Sequence, residues 1–212
     1  MLEELQVPFD HDFVKARPGS ARALQHHPLG KVPSLIIHGG SPTKSWTLYE
    51  STVINTYLAD TYGHGKFIPP PGTRARVQYD QTVAFLLAEV DSQALWIHRK
   101  HDSLRSVFGE ASNAVLVEAK RQFHAANRVL LQQLSPYLLG HDFTAADILY
   151  VHCLDWAESI GWHVENGDDD NAKCVAYLEK CRTREGYQRA VARRLQEDKL
   201  KEEYRKQKAS NL

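Results

Sequence analysis

Three consecutive prolines, Pro69, Pro70 and Pro71, stand inside the ten-residue stretch from Gly63 to Gly72, which also holds three glycines. Neither a helix nor a strand continues through such a stretch, because proline lacks the backbone donor and glycine carries a large entropic cost on ordering. It therefore divides the 212-residue chain into two units: residues 1–63, a linker over 64–73, and residues 74–212.

The two units differ in periodicity. In the first, Leu2 to Leu5 reads as a helical turn, Pro8 to Val14 as an extended segment, and Ser20 to Gln25 as one or two helical turns. His26, His27, Pro28, Leu29 and Gly30 break the backbone before a short β-rich run, Ser34 to Ile37. A loop through Gly39, Gly40, Ser41 and Pro42 leads to a second run, Trp46 to Tyr49, and then Val53, Ile54, Tyr57 and Leu58 follow helical spacing up to Gly63. Beyond the prolines, strand signals nearly vanish, and residues 74–108, 111–134, 145–160 and 171–206 carry helical periodicity. The expected fold class is an α/β unit followed by an all-α unit.

Composition excludes several functions. Lysine plus arginine and aspartate plus glutamate each number 26, so no net field gathers nucleic acid or an anionic membrane surface. The opening Met1, Leu2, Glu3, Glu4 lacks the basic and apolar regions of a secretory signal, and no apolar run is long enough to span a bilayer, so a cytoplasmic location is expected. Cys153, Cys174 and Cys181 are too few for a disulfide framework. On one helix, the seven-residue step from Cys174 to Cys181 separates their Cα atoms by roughly 10 Å. A disulfide needs about 4.4 to 6.8 Å, so reduced thiols are expected.

No metal is expected. His98, His101 and Asp102 share a helical face but lack a second histidine pair at matching spacing. Asp168, Asp169 and Asp170 read as a solvated loop, since the alternating oxygen ligands of a calcium loop are missing. Nucleophile-elbow and phosphate-loop patterns are absent from the sequence.

The strongest local signal is Glu50-Ser51, where a strand meets a helix. A helix start offers open N–H groups and a positive dipole end to an anion, Ser51 can add a hydroxyl, and Glu50 can accept from an ammonium, so the pair suits an α-amino acid end. The structural alternative is Ser51 as a plain N-cap with Glu50 as a first-turn acid. Val32-Pro33 precedes the first strand, where backbone groups of Val32 could pair with a ligand, and Lys31 beside it could meet an anion. Thr144 to Asp147 has capping-box spacing, which assigns Thr144 and Asp147 a structural role.

The series His27-Pro28-Leu29-Gly30-Lys31-Val32-Pro33-Ser34-Leu35, then Leu48-Tyr49-Glu50-Ser51 running into Val53 to Leu58, then the proline-rich linker, then Leu139 to Ile148, closely resembles the soluble glutathione transferases. The resemblance covers nearly the whole chain. It implies a thioredoxin-like glutathione-binding domain followed by a helical bundle domain, glutathione and a small electrophile as partners, glutathione as substrate with no cofactor, a detoxifying transferase activity, and a homodimer. Val32, before a proline that is cis in the family, would pair with the cysteinyl part of glutathione. Glu50 and Ser51 would hold the γ-glutamyl end, Lys31 the glycyl side, and Leu48 and Tyr49 would pack the strand.

One departure stands against these matches. Leu2 to Phe9 resembles the end of the family's first helix and the entry to its second strand, so the first domain is expected to be truncated, without the first strand, most of the first helix, and the thiol-activating Tyr, Ser or Cys they carry. The catalytic residue is therefore left unknown. The competing readings are a non-catalytic interaction module and a glutathione-dependent reductase or isomerase of the same fold. Trp96, His98, Arg99 and Trp156 either face the second-substrate pocket or pack the bundle.

Overall fold

The computed structural model describes residues 1–12, 21–39, 44–162 and 169–210. It opens with α1 (Leu2–Leu5) and α2 (Ala21–Leu24), then an antiparallel pair, β1 (Ser34–Ile37) and β2 (Trp46–Tyr49), and then α3 (Ser51–Tyr62). Residues 8–12 of the expected extended segment pair with no strand among the described residues, and positions 13 and 14 lie outside them. The ladder sets Ser34 opposite Tyr49 and Ile37 opposite Trp46. Helix α3 ends at Gly63, where a Cβ would lie 2.3 Å from the Ala59 carbonyl oxygen, so only glycine fits.

The second half is helical. α4 (Arg74–Phe85) is capped by Thr73, whose hydroxyl accepts from the Arg76 amide. The helix widens to π winding over Leu86–Leu95 and returns to α geometry in α5 (Trp96–His101). The expected single helix over 74–108 is thus interrupted after His101, and α6 (Arg105–Phe108) is a separate turn. α7 (Asn113–Gln133) buries Ala119, Phe123, Ala126 and Leu130 on one stripe against the π segment. α8 (Ala145–Ser159) runs through the centre of the core. α9 (Asp169–Arg182) and α10 (Glu185–Ser210) replace the single helix expected over 171–206, and the chain breaks at Thr183, whose hydroxyl bonds the Lys180 carbonyl at 2.8 Å. Asp169 and Asp170 belong to α9 rather than to a loop, and Asp170 lies 3.5 Å from Arg128. Position 168 is outside the described residues.

Helix α10 returns to the start of the chain. Arg184 grips the Glu4 carboxylate with two bonds of 2.8 and 2.9 Å, and Arg193 meets Glu3 at 2.8 Å. The approach is close: a Cβ on Gly186 would sit 2.6 Å from the Glu4 carboxyl carbon. These contacts span about the whole chain length, and no local pattern encodes them.

Around α8 the polar groups are matched in pairs. The buried Tyr150 hydroxyl donates to Asn127, and Arg182 on α9 reaches Asp155 at 2.6 Å. Cys153, Cys174 and Cys181 are free and buried. Burial pushes all three thiols up, Cys174 to about 11 and Cys181 to about 12. A thiol near 11 is thiolate only about one part in a thousand at pH 8. The folded chain is therefore expected to react with a disulfide reagent at pH 8 at least ~100-fold more slowly than the chain unfolded in guanidinium, read as thiol release over time. Fast release from the folded chain would place at least one cysteine at a reactive surface.

Candidate functional site

Two chain reversals build the site. Residues 26–30 turn back through the Gly30 amide to the His27 carbonyl, 2.9 Å, with Gly30 at φ 63°, a value glycine adopts without a Cβ clash. The turn buries His27, which is only 4% exposed. The Leu29 amide donates to His27 Nδ1 at 2.9 Å, so in the neutral ring the proton sits on Nε2. Nε2 lies 3.7 Å from Glu50 Oε1, and the Tyr49 ring rests 5.0 Å from the imidazole. His27 is thus a floor beneath Glu50. In the sequence His27 stands out only as part of the run from His26 to Gly30, because its contact to Glu50 crosses 23 positions. Tyr49 is 44% exposed and packs on this imidazole, whereas strand packing had been expected of it.

The second reversal is the step from β2 into α3. Glu50 has φ 69° and ψ 114°, outside the left-handed basin open to L residues, and it stands at the N-cap of α3. The expected plain N-cap at Ser51 is displaced by one residue: Ser51 is the first helical residue. The Ile54 amide bonds the Glu50 carbonyl at 3.0 Å, which leaves the three earlier amides of the helix start open.

The Val32–Pro33 bond is cis, as the resemblance implied; Ser135–Pro136, which no sequence signal marked, is also cis. The backbone of Val32 makes no hydrogen bond among the described residues, and its side chain is 47% exposed. Because Ser34 pairs with Tyr49, Val32–Pro33 and Glu50–Ser51 stand across from each other at the same end of the hairpin. The ladder brings together two motifs that the sequence left separate.

The helical half closes over this end. Lys31 places its ammonium 5.5 Å from the centre of the Trp96 ring. Arg99 stands between Trp96 and Trp156, 5.7 and 5.5 Å from their ring centres. Asp91, on the π segment, is within electrostatic reach of His152, Arg99, Glu50 and Lys31; burial pushes its carboxyl up, and His152 and Arg99 offset part of that rise. Of the four side chains left between pocket and packing, Trp96 meets Lys31 and Arg99, Trp156 packs against the core and also meets Arg99, and His98 lies against Trp162 at 5.1 Å. His101 bonds the Gly109 carbonyl at 3.1 Å, and among the described residues no three His, Cys, Asp or Glu side chains converge as metal ligands.

Thr144 and Asp147 lie apart from the site, at the start of α8. Thr144 is the N-cap, and the Asp147 carboxylate accepts from the Thr144 amide at 2.8 Å and the Thr144 hydroxyl at 3.0 Å. Beyond the box, it accepts from the Leu138 amide at 3.0 Å and the Tyr177 hydroxyl at 2.9 Å.

A cis-proline turn and a strand-to-helix corner on one hairpin, joined to a helical half, define a thioredoxin-like domain of the glutathione-transferase type with a mostly helical C-terminal region. Residues 1–61 match the family model described as "Glutathione S-transferase, N-terminal domain". Glutathione S-transferase 1 of Schizosaccharomyces pombe is 26% identical over 168 residues, 75% of this chain and 69% of that protein. A glutathione transferase structure from Methylococcus capsulatus superposes with a TM-score of 0.72 at 25% identity, over 90% of this chain and 89% of that one. One from Phanerochaete chrysosporium, in complex with oxidized glutathione, superposes with a TM-score of 0.75 at 21% identity, over 92% and 88%. The chain is similar to the soluble glutathione S-transferases, over residues 1–61 to their N-terminal domain and over most of its length to whole members. Among the described residues no helix is long and apolar enough to cross a membrane.

Proposed function

We propose that this chain binds glutathione and transfers it to a small electrophilic molecule, with glutathione as substrate and no further cofactor. The observation that carries this reading is the hairpin register, which sets the Val32–Pro33 clasp opposite Glu50 and Ser51. Glu50 accepts from the γ-glutamyl ammonium, and Ser51 with the open amides of α3 holds the γ-glutamyl carboxylate. Val32 pairs its backbone with the cysteinyl residue, and Lys31 attracts the glycyl carboxylate. With no thiol-activating residue assigned in this chain, the thiol gives its proton to water, the sulfur forms a bond to the electrophilic carbon, and the leaving group departs with the electron pair of the broken bond. Strongly raised thiols speak against the reductase reading through this chain's own cysteines, since a sulfur nucleophile acts as thiolate.

The same reading takes residues 1–63 as the glutathione-binding domain, 64–73 as linker and 74–212 as the helical domain, in a cytoplasmic homodimer. Calorimetric titration with glutathione, together with the absorbance of conjugate formed from 1-chloro-2,4-dinitrobenzene, tests the function. Saturable binding with conjugation above the uncatalysed rate is expected. Binding without conjugation would convert the reading to a glutathione-binding module, and no binding would end it.

A further inference from the structure

Three cations converge on one indole. Lys31 Nζ, Arg99 Cζ and Lys100 Nζ lie 5.5, 5.7 and 5.7 Å from the centre of the Trp96 ring. Arg99 also lies 5.5 Å from the centre of Trp156, so two indoles flank its guanidinium. The three come from the turn before β1 and from α5, and Trp156 comes from α8. Several arginines elsewhere in this electrically balanced chain are matched with acids: Arg76 with Asp60, Arg182 with Asp155, Arg184 with Glu4, and Arg193 with Glu3. Among the described residues, Lys31, Arg99 and Lys100 form neither a side-chain hydrogen bond nor an ion pair. Asp91 is within electrostatic reach of Arg99 and Lys31, and burial pushes its carboxyl up.

An unmatched cationic cluster laid on aromatic faces offers two complementary contacts to one kind of molecule. A flat ring stacks or packs edge-on against an indole, and an anionic substituent takes charge-assisted hydrogen bonds from the guanidinium. Partial burial between two indoles strengthens the second contact, because solvent screens it less.

We propose that Trp96, Arg99, Lys100 and Trp156 select the second substrate, an aromatic electrophile carrying a carboxylate, with its ring against the indoles and its carboxylate on Arg99 and Lys100. This rests on the glutathione reading, since the patch adjoins the clasp through Lys31. A neutral electrophile uses the indoles alone and gains nothing from the cations.

The probes are S-(4-carboxy-2-nitrophenyl)glutathione and its carboxamide, which share a shape and differ by one charge. Each is titrated into the full chain and followed by tryptophan fluorescence. The carboxylate is expected to bind about tenfold more tightly, a preference that falls with added salt. Arg99→Gln should reduce the preference to about twofold, and Arg99→Lys should keep most of it. Glutathione itself should bind Arg99→Gln as it binds the unaltered chain. Circular dichroism checks each fold, and Lys100→Gln stands in if Arg99→Gln does not fold.

Equal binding of the two probes, or a preference untouched by both glutamine substitutions, overturns the proposal. A loss of glutathione affinity in Arg99→Gln equal to the loss for the carboxylate probe assigns the patch to the glycyl carboxylate and overturns it as well. If neither glutathione nor either conjugate binds, the glutathione reading has failed, and free 3-nitrobenzoate against 3-nitrobenzamide then decides the patch by itself. Preference for the acid, removed by Arg99→Gln, upholds the patch, and equal binding ends it.

Discussion

Asp147→Ala is expected to destabilise the chain by about 4 kcal/mol, because it strands several buried donors at once. The carboxylate is fully buried and accepts from the Leu138 and Thr144 amides and from the Thr144 and Tyr177 hydroxyls. These partners tie the segment before α8, the α8 cap and α9 to one point. Thr144→Ala removes one donor and leaves the other three bonds, so it should cost only about 1 kcal/mol. Asp147→Asn, which keeps one acceptor oxygen, should fall between the two. Urea unfolding followed by circular dichroism measures all three, and the alanine variant should also melt roughly 10 °C lower.

Burial holds the Asp147 carboxyl above its ordinary 3.8 in spite of four donors. As pH falls, the folded chain therefore takes up this proton before the unfolded chain does, so the group adds stability on acidification and loses it again as pH rises through the folded value. The deficit of Asp147→Ala is accordingly expected to hold or grow between pH 7 and about pH 4. A deficit that vanishes in acid would mean that the charge of the carboxylate, rather than its hydrogen bonds, ties the helices.

Substitution of Glu50 is expected to move stability and binding in opposite directions. At φ 69° and ψ 114° a side chain crowds its own backbone, and strain of this kind costs on the order of 1 to 3 kcal/mol. Glu50→Gly should relieve part of it and stabilise the fold by about 1 kcal/mol. The same change removes the carboxylate proposed to accept from the γ-glutamyl ammonium. Glu50 is half exposed, so water screens the lost pair, and a fall in glutathione affinity of about thirtyfold is the expected size. Melting curves and calorimetric titration on the same sample read the two effects. Unchanged affinity in Glu50→Gly would remove Glu50 from the glutathione site, whereas a destabilised glycine variant would show that the corner carries no strain.

Much of the fold could be read locally. The run Ser34 to Ile37 and the run Trp46 to Tyr49 are strands over those same residues, and the helix suggested by Val53, Ile54, Tyr57 and Leu58 ends at Gly63. These elements were readable because side-chain alternation, helical spacing and glycine punctuation act between residues a few positions apart. The one-residue shift at Ser51 belongs to the same class of local error, since a strained Glu50 took the cap. The break at Thr183 and the π winding over Leu86–Leu95 were not readable, because apolar periodicity is continuous across both while packing sets the winding.

By itself, then, the sequence determined which short segments could be strand, corner or cap, and it supplied Val32, Pro33, Glu50, Ser51, Thr144 and Asp147 in those segments. Tertiary structure alone decided what each of them meets. His27 lies under Glu50, Lys31 lies on Trp96, Arg99 stands between two indoles, and Asp147 binds Tyr177 from another helix. The physical reason is range: a turn or a cap is stabilised by neighbours along the chain, whereas a charge or an unpaired donor finds its partner through space, once the core has set the helices against one another.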